Sequence, residues 1–194
     1  MSKAKQLWLL AGGNGAGKST FYQQFLAHSG LPFINADILA EQLDLEQPEA
    51  VSYKAAKLAE KLRLNLLRDG ISFCFETVFS HPSKIDFLAT AKTHGYEIIL
   101  VYIHLKNDQL NQARVAQRVA EGGHNVPSEK IITRIPRTMQ YVSDALPLVD
   151  TAQFYDNSSQ REPFTSVAIL TNGELQTQQK LLPDWAKMML VNYL

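Results

Sequence analysis

The 194-residue sequence contains a single cysteine, Cys74, which excludes an internal disulfide framework and suits a reducing compartment. Charge of one sign is not in surplus. Lys plus Arg is 19 and Asp plus Glu is 19, for a formal net charge of +0. The whole-chain basic footprint of a nucleic-acid binder is therefore missing, which argues against nucleic acid as a partner. No apolar run is long. The longest, Ile98–Ile103, falls far short of the roughly 20 residues of a membrane-spanning helix. The start, Met1–Gln6, is polar, so no signal peptide is expected, and the expected location is cytoplasmic. Internal repeats and low-complexity tracts are also absent. Hydrophobic residues make up 45%, a value ordinary for a globular chain, and the length fits one domain spanning residues 1–194.

Short apolar runs alternate with helical periodicity. Leu7–Ala11, Leu31–Ile34, Ile71–Phe75, Glu97–His104, Ala152–Tyr155 and Val167–Leu170 are predicted strands. Helices are predicted over Lys18–Ala27, Glu49–Arg68, Ser83–Thr93, Asp108–Glu121, Lys130–Val142 and Asp184–Val191. Ser128 is the expected N-cap of the fifth, and Pro136 should kink it. Asn172-Gly173 predicts a hairpin within 167–180. Unbroken apolar strands separated by helices imply a mostly parallel sheet covered on both faces, a three-layer αβα fold. Ligands of such a sheet bind outside the carboxyl ends of its strands.

Gly12-Gly13-Asn14-Gly15-Ala16-Gly17-Lys18-Ser19, followed by Thr20, fits the P-loop pattern between a strand and a helix. The glycines allow a tight loop whose N–H groups surround phosphates, with Lys18 reaching the β- and γ-phosphates and the Ser19 hydroxyl supplied to Mg²⁺. The guanine-reading Asn-Lys-x-Asp segment of a GTPase is absent, since Lys106-Asn107-Asp108 has the wrong order. A Ser-Gly-Gly-Gln signature is absent too, and the fourth strand ends in His104 rather than an acid. A small-molecule kinase needs an acid near the acceptor hydroxyl and mobile arginines over the phosphates.

Both are present. Asp37 lies 37 − 18 = 19 residues after Lys18, at the end of the second strand. It suits the general base facing an acceptor hydroxyl, or else a cap for a helix starting at Ile38. Glu76, with Thr77 beside it, follows a core strand, where a carboxylate is costly without a cation or a donor. It suits contact with substrate or with Mg²⁺-bound water, or else a buried ion pair. Residues 28–50 hold Asp37, Glu41, Asp44, Glu46 and Glu49 and no Lys or Arg, a local charge of −5 beside the expected acceptor site. Arg114 and Arg118 share one helix face, and Arg134 and Arg137 share another. The loop Gly122-Gly123-His124-Asn125-Val126-Pro127 joins the two helices. Over 106–140, six bases against three acids give +3, which suits an arginine-bearing lid. Asn157 falls where P-loop kinases hold the adenine base. Cys74 reads as an inert core thiol and Trp8 as a packing residue.

In order along residues 6–160, Ala11–Thr20, Phe33-Ile34-Asn35-Ala36-Asp37, Phe75-Glu76-Thr77, Arg118-Val119, Gly122-Gly123-His124-x-Val126-Pro127, Arg134 and Tyr155-Asp156-Asn157-Ser158 resemble the zeta-toxin-like P-loop kinases. The resemblance implies a nucleotide-kinase-like fold and ATP with Mg²⁺. It implies Lys18 as the phosphate-binding lysine, Asp37 as the base, Glu76 as a substrate-contacting acid, and Arg118 and Arg134 as the ATP-clamping pair. The family's toxins phosphorylate a hydroxyl of UDP-N-acetylglucosamine and are held by an antitoxin protein. This chain is shorter than they are, leaving little room for inserts that hold a sugar nucleotide. The expected activity is transfer of the ATP γ-phosphate to a small-molecule hydroxyl. The alternatives are a nucleotide-binding ATPase or regulator without an acceptor, and a polynucleotide kinase.

Overall fold

The computed structural model describes residues 4–44, 50–123 and 125–194. Its centre is a seven-stranded sheet in the order β2-β3-β1-β4-β5-β6-β7. The strands are β1 (Lys5–Ala11), β2 (Phe33–Ile34), β3 (Phe73–Thr77), β4 (Tyr96–His104), β5 (Thr151–Asp156), β6 (Thr165–Thr171) and β7 (Glu174–Thr177). The five strands from β2 to β5 pair in parallel; β6 and β7 add antiparallel at the edge. β1 lies between β3 and β4, with Leu9 opposite both Phe75 and Leu100. The chain therefore leaves β1 toward one side of the sheet and returns on the other, the switch point where ligands settle in open α/β sheets.

The sheet is buried on both faces because alternate residues serve different layers. Leu7, Leu9, Phe73, Phe75, Ile98 and Leu100 belong to one apolar cluster, and Leu10, Cys74, Val101 and Ile103 to another. Each such large apolar side chain contributes about 1.5–3 kcal/mol when fully buried. Trp8 is only partly buried against the second cluster. The helices are α1 (Lys18–Phe21), α2 (Ala36–Leu43), α3 (Ser52–Arg68), α4 (Ser83–Thr93), α5 (Asp108–Ala120), α6 (Ser128–Ala145) and α7 (Asp184–Met189).

Several boundaries differ from expectation. The helix after the glycine loop is α-helical for only one turn, then widens to a π-helix over Tyr22–Leu26 and ends as a 3₁₀ turn at Ala27–Ser29. The second helix begins at Ala36, and its cap is Asn35, whose side chain accepts the N–H groups of Asp37 and Ile38. Asp37 therefore is not the cap. Ser128 is the first residue of α6 rather than its cap, and the helix runs on through Pro136 to Ala145. Pro136 and Ile132 are both exposed, so the carbonyl left unbonded by proline faces water. The hairpin forms as expected: β6 and β7 join through Asn172 and Gly173, both at positive φ (50° and 84°), as a two-residue primed turn requires. Among the described residues no helix is long and apolar enough to cross a membrane.

Candidate active site

The loop after β1 closes against the carboxyl ends of the neighbouring strands. Gly12, at φ 151°, approaches the sheet so closely that a Cβ would stand 2.4 Å from the Ile103 carbonyl oxygen. Gly17, at φ 100°, leaves 2.5 Å between its would-be Cβ and the Asn157 amide nitrogen. A side chain at either position would displace backbone or a buried amide. Two asparagines pin the loop. Asn111 of α5, buried, donates to the Asn14 carbonyl (2.7 Å), and Asn157, just past β5, donates to the Ala16 carbonyl (2.9 Å).

Asn157 also accepts the Phe164 N–H, and its own carbonyl accepts from Arg114 (2.8 Å). Both ends of its amide are spent inside the protein. It supports the loop from below while also lining the cleft above it.

The Lys18 ammonium is buried and donates to the carbonyls of Gly12 and Gly13, both at 3.0 Å. It lies 3.8 Å from Glu76, whose side chain is 12% exposed. Burial pushes the lysine pKa down, while Glu76 and then Asp37 push it back up and Arg118 adds to the lowering. The same carboxylate accepts the Ser19 hydroxyl (2.7 Å) and the Asn35 amide (2.9 Å). Lys18, Ser19, Asn35 and Glu76 thus form one connected polar cluster at the mouth of β1, β2 and β3. Glu76 is both a partner of the buried lysine and a wall of the site.

Above this cluster opens a cleft of about 930 Å³. Asn14, Gly15, Gly17, Lys18, Ser19, Thr20, Asp37, Glu76, Thr77, Arg118, Arg134 and Asn157 all line it. Gly12, Gly13 and Ala16 are buried in the loop beneath. Asp37 stands exposed on the first turn of α2. Thr77 accepts the Phe79 N–H (3.1 Å), and Thr138 of α6 donates to the Val78 carbonyl (2.8 Å). These bonds fix the sharp turn after β3, where Phe79 sits at φ 61°. Across the cleft Arg134 reaches the Asn14 side chain at 3.5 Å. Gly123 donates to the Arg118 carbonyl (2.8 Å) and lies so near the Arg118 side chain that a Cβ would meet its Cγ at 2.6 Å.

Some expected participants are elsewhere. Arg137 is exposed and bonds its own helix through the Thr133 carbonyl. His104 is a packed histidine, stacked on Trp185 and bonded to Tyr102, and burial lowers its pKa to about 4. Burial pushes the Cys74 thiol well up, which keeps it from the reactive thiolate form. Of the acidic stretch, Glu46 and Glu49 lie outside the described residues, as does His124. Glu41 and Asp44 do not line the cleft; Asp37 does. Arg63, Lys84, Arg114 and Lys130 line the cleft as well.

The family model described as an AAA domain matches residues 7–138, more than half of the chain. An uncharacterized protein of Haemophilus influenzae is 30% identical over 132 residues, 64% of this chain and 94% of that protein. The crystal structure of AvrRxo1-ORF1:-ORF2 with ATP superposes with a TM-score of 0.72 at 19% identity. That match covers 91% of this chain and 61% of the other, so this chain spans about three-fifths of its length. The PezAT chromosomal toxin–antitoxin system of Streptococcus pneumoniae gives 0.61 at 22% identity, over 85% of this chain and 72% of that one. The sheet order, the glycine loop and these likenesses make the fold that of a P-loop kinase.

Proposed function

This chain belongs to the AAA-domain family, and from that premise we propose that it is an ATP-dependent phosphotransferase acting on the hydroxyl of a small molecule. The observation that carries the reading is one cleft lined by a buried lysine with an acid beside it, an exposed carboxylate and two arginines. ATP lies with its phosphates on the glycine loop and Lys18. Asp37 orients the acceptor and takes its proton. The acceptor oxygen then forms a bond to the γ-phosphorus as the bond from that phosphorus to the β-bridging oxygen breaks, and ADP departs with the electron pair. Arg118 and Arg134 stabilise the charge on the transferred group.

The Ser19 hydroxyl and the Glu76 carboxylate are adjacent hard oxygen donors that suit Mg²⁺. Among the described residues no cluster of three acidic, histidine or cysteine side chains forms a closed metal cage. That agrees with an ion held by few protein ligands plus substrate phosphates. When bound, the ion neutralises charge on those phosphates.

The ordered residues of positions 6–160 support the zeta-toxin-like subtype, with a nucleotide sugar such as UDP-N-acetylglucosamine as acceptor and an antitoxin-type protein as partner. The test is mass spectrometry of a metabolite extract incubated with the protein, Mg²⁺ and labelled ATP. A labelled metabolite is expected. Release of inorganic phosphate alone would overturn the phosphotransferase reading in favour of an ATPase. Replacing Arg118 or Arg134 by Ala is expected to lower turnover by about 10²-fold. Steady-state kinetics check this, and a loss below about tenfold removes those arginines from the reaction.

A further inference from the structure

α3 buries Ala55, Ala59, Arg63 and Leu67, one residue per turn along a single face. Three of the four are apolar. The other is a guanidinium in a residue only 7% exposed, which lines the cleft. It lies over the Phe75 ring at 5.1 Å and beside the Phe87 ring at 5.7 Å. Contact with an aromatic ring satisfies the charge but accepts no N–H hydrogen bond in the ordinary sense. Its Nε has no hydrogen-bond partner, and among the described residues no carboxylate is within the 4.0 Å of an ion pair. The exposed Glu60 acts on it only from farther away. Lys84, on the first turn of α4, lines the same cleft. Burial lowers its pKa first, repulsion from Arg63 lowers it further, and the exposed Glu60 raises it.

Two cations on the wall of one cleft, one of them buried with a donor left without a partner, are costly unless an anion offsets them. We propose that Arg63 and Lys84 form an anion-binding subsite for the acceptor, so that the molecule phosphorylated carries a phosphate or carboxylate besides its reacting hydroxyl. The subsite rests on the phosphotransferase reading and deepens it. Arg63 is suited to the task because a planar fork matches either anion with two parallel hydrogen bonds. The anionic group is bound and does not react. Its part is to hold the acceptor hydroxyl against Asp37.

The test is calorimetry on the intact protein saturated with Mg²⁺ and a non-hydrolysable ATP analogue, titrated separately with inorganic phosphate and with succinate. At least one anion is expected to bind, and the tighter of the two assigns the acceptor class. Arg63→Met and Lys84→Gln should each weaken that binding by about tenfold or more, with the affinity for the analogue unchanged. Where circular dichroism shows Arg63→Met to be misfolded, the half-buried Lys84→Gln carries the comparison. Analogue binding without anion binding, or variants that bind the anion like the wild type, overturns the subsite alone. Failure of the analogue itself to bind overturns the phosphotransferase reading and the subsite with it.

Discussion

Replacing Lys18 by Ala is expected to reduce phosphoryl transfer by at least about 10³-fold, the upper end of what one preorganised donor supplies to a transition state. The ammonium is the one cation among the described residues that is buried at the base of the cleft and bonded to the glycine loop itself. Arg118 and Arg134 line the same cleft but make no hydrogen bond to the carbonyls of Gly12 and Gly13 that Lys18 holds. The variant also removes the positive neighbour of Glu76, and breaking a buried ion pair can cost about 3–5 kcal/mol. Here Ser19 and Asn35 still donate to that carboxylate, so the loss of stability should be smaller. Lys18→Met, which keeps the apolar stem, separates the two effects. Both variants should lose transfer, and thermal melts should place Lys18→Met, which loses the ion pair but keeps the packing, between Lys18→Ala and wild type. Transfer undiminished in a folded Lys18 variant would contradict the assignment of the loop.

The same lysine shows why much of the site was legible in the sequence. A phosphate loop is local: one stretch of chain supplies the backbone, the lysine and the hydroxyl, and strict glycine positions advertise it. The convergence of Asp37 and Glu76 on that loop was also readable, since parallel strands deliver their carboxyl ends to one edge. What escaped is what depends on tertiary packing. Asn111 and Asn157 hold the loop from positions 94 and 140 residues beyond Gly17 (111 − 17 and 157 − 17). Their spacing carries no trace of that contact. The cap of α2 moved from Asp37 to Asn35 because both can cap and only the strand's end decides between them. Arg63 did leave a signal, a charge in step with Ala55, Ala59 and Leu67. Such a stripe breaker reads as a solvated residue until the cleft beside it is seen.

The relocated cap gives the second large prediction its force. Asp37→Asn is expected to lower transfer by about 10²- to 10⁴-fold, the usual contribution of a positioned base, while ATP binding stays within about twofold of wild type. The amide keeps the volume and the hydrogen-bonding reach of the carboxylate but cannot accept the acceptor's proton. The helix is not disturbed, because the capping bond runs from the Asp37 backbone N–H to the Asn35 side chain and does not use the carboxylate. Removing a negative charge from the first turn costs only about 0.3–1 kcal/mol at an exposed site. A structural role would therefore appear as a small fall in melting temperature with turnover intact. A catalytic role appears as the reverse, with the KM for ATP unchanged and kcat collapsed. Asp37→Ala should behave like Asp37→Asn in transfer, and Asp37→Glu should recover part of the rate if the lengthened carboxylate still reaches the hydroxyl. Wild-type turnover in Asp37→Asn would reduce the residue to a charge that favours the helix and would require another base, for which Glu76, already committed to Lys18, Ser19 and Asn35, is poorly placed.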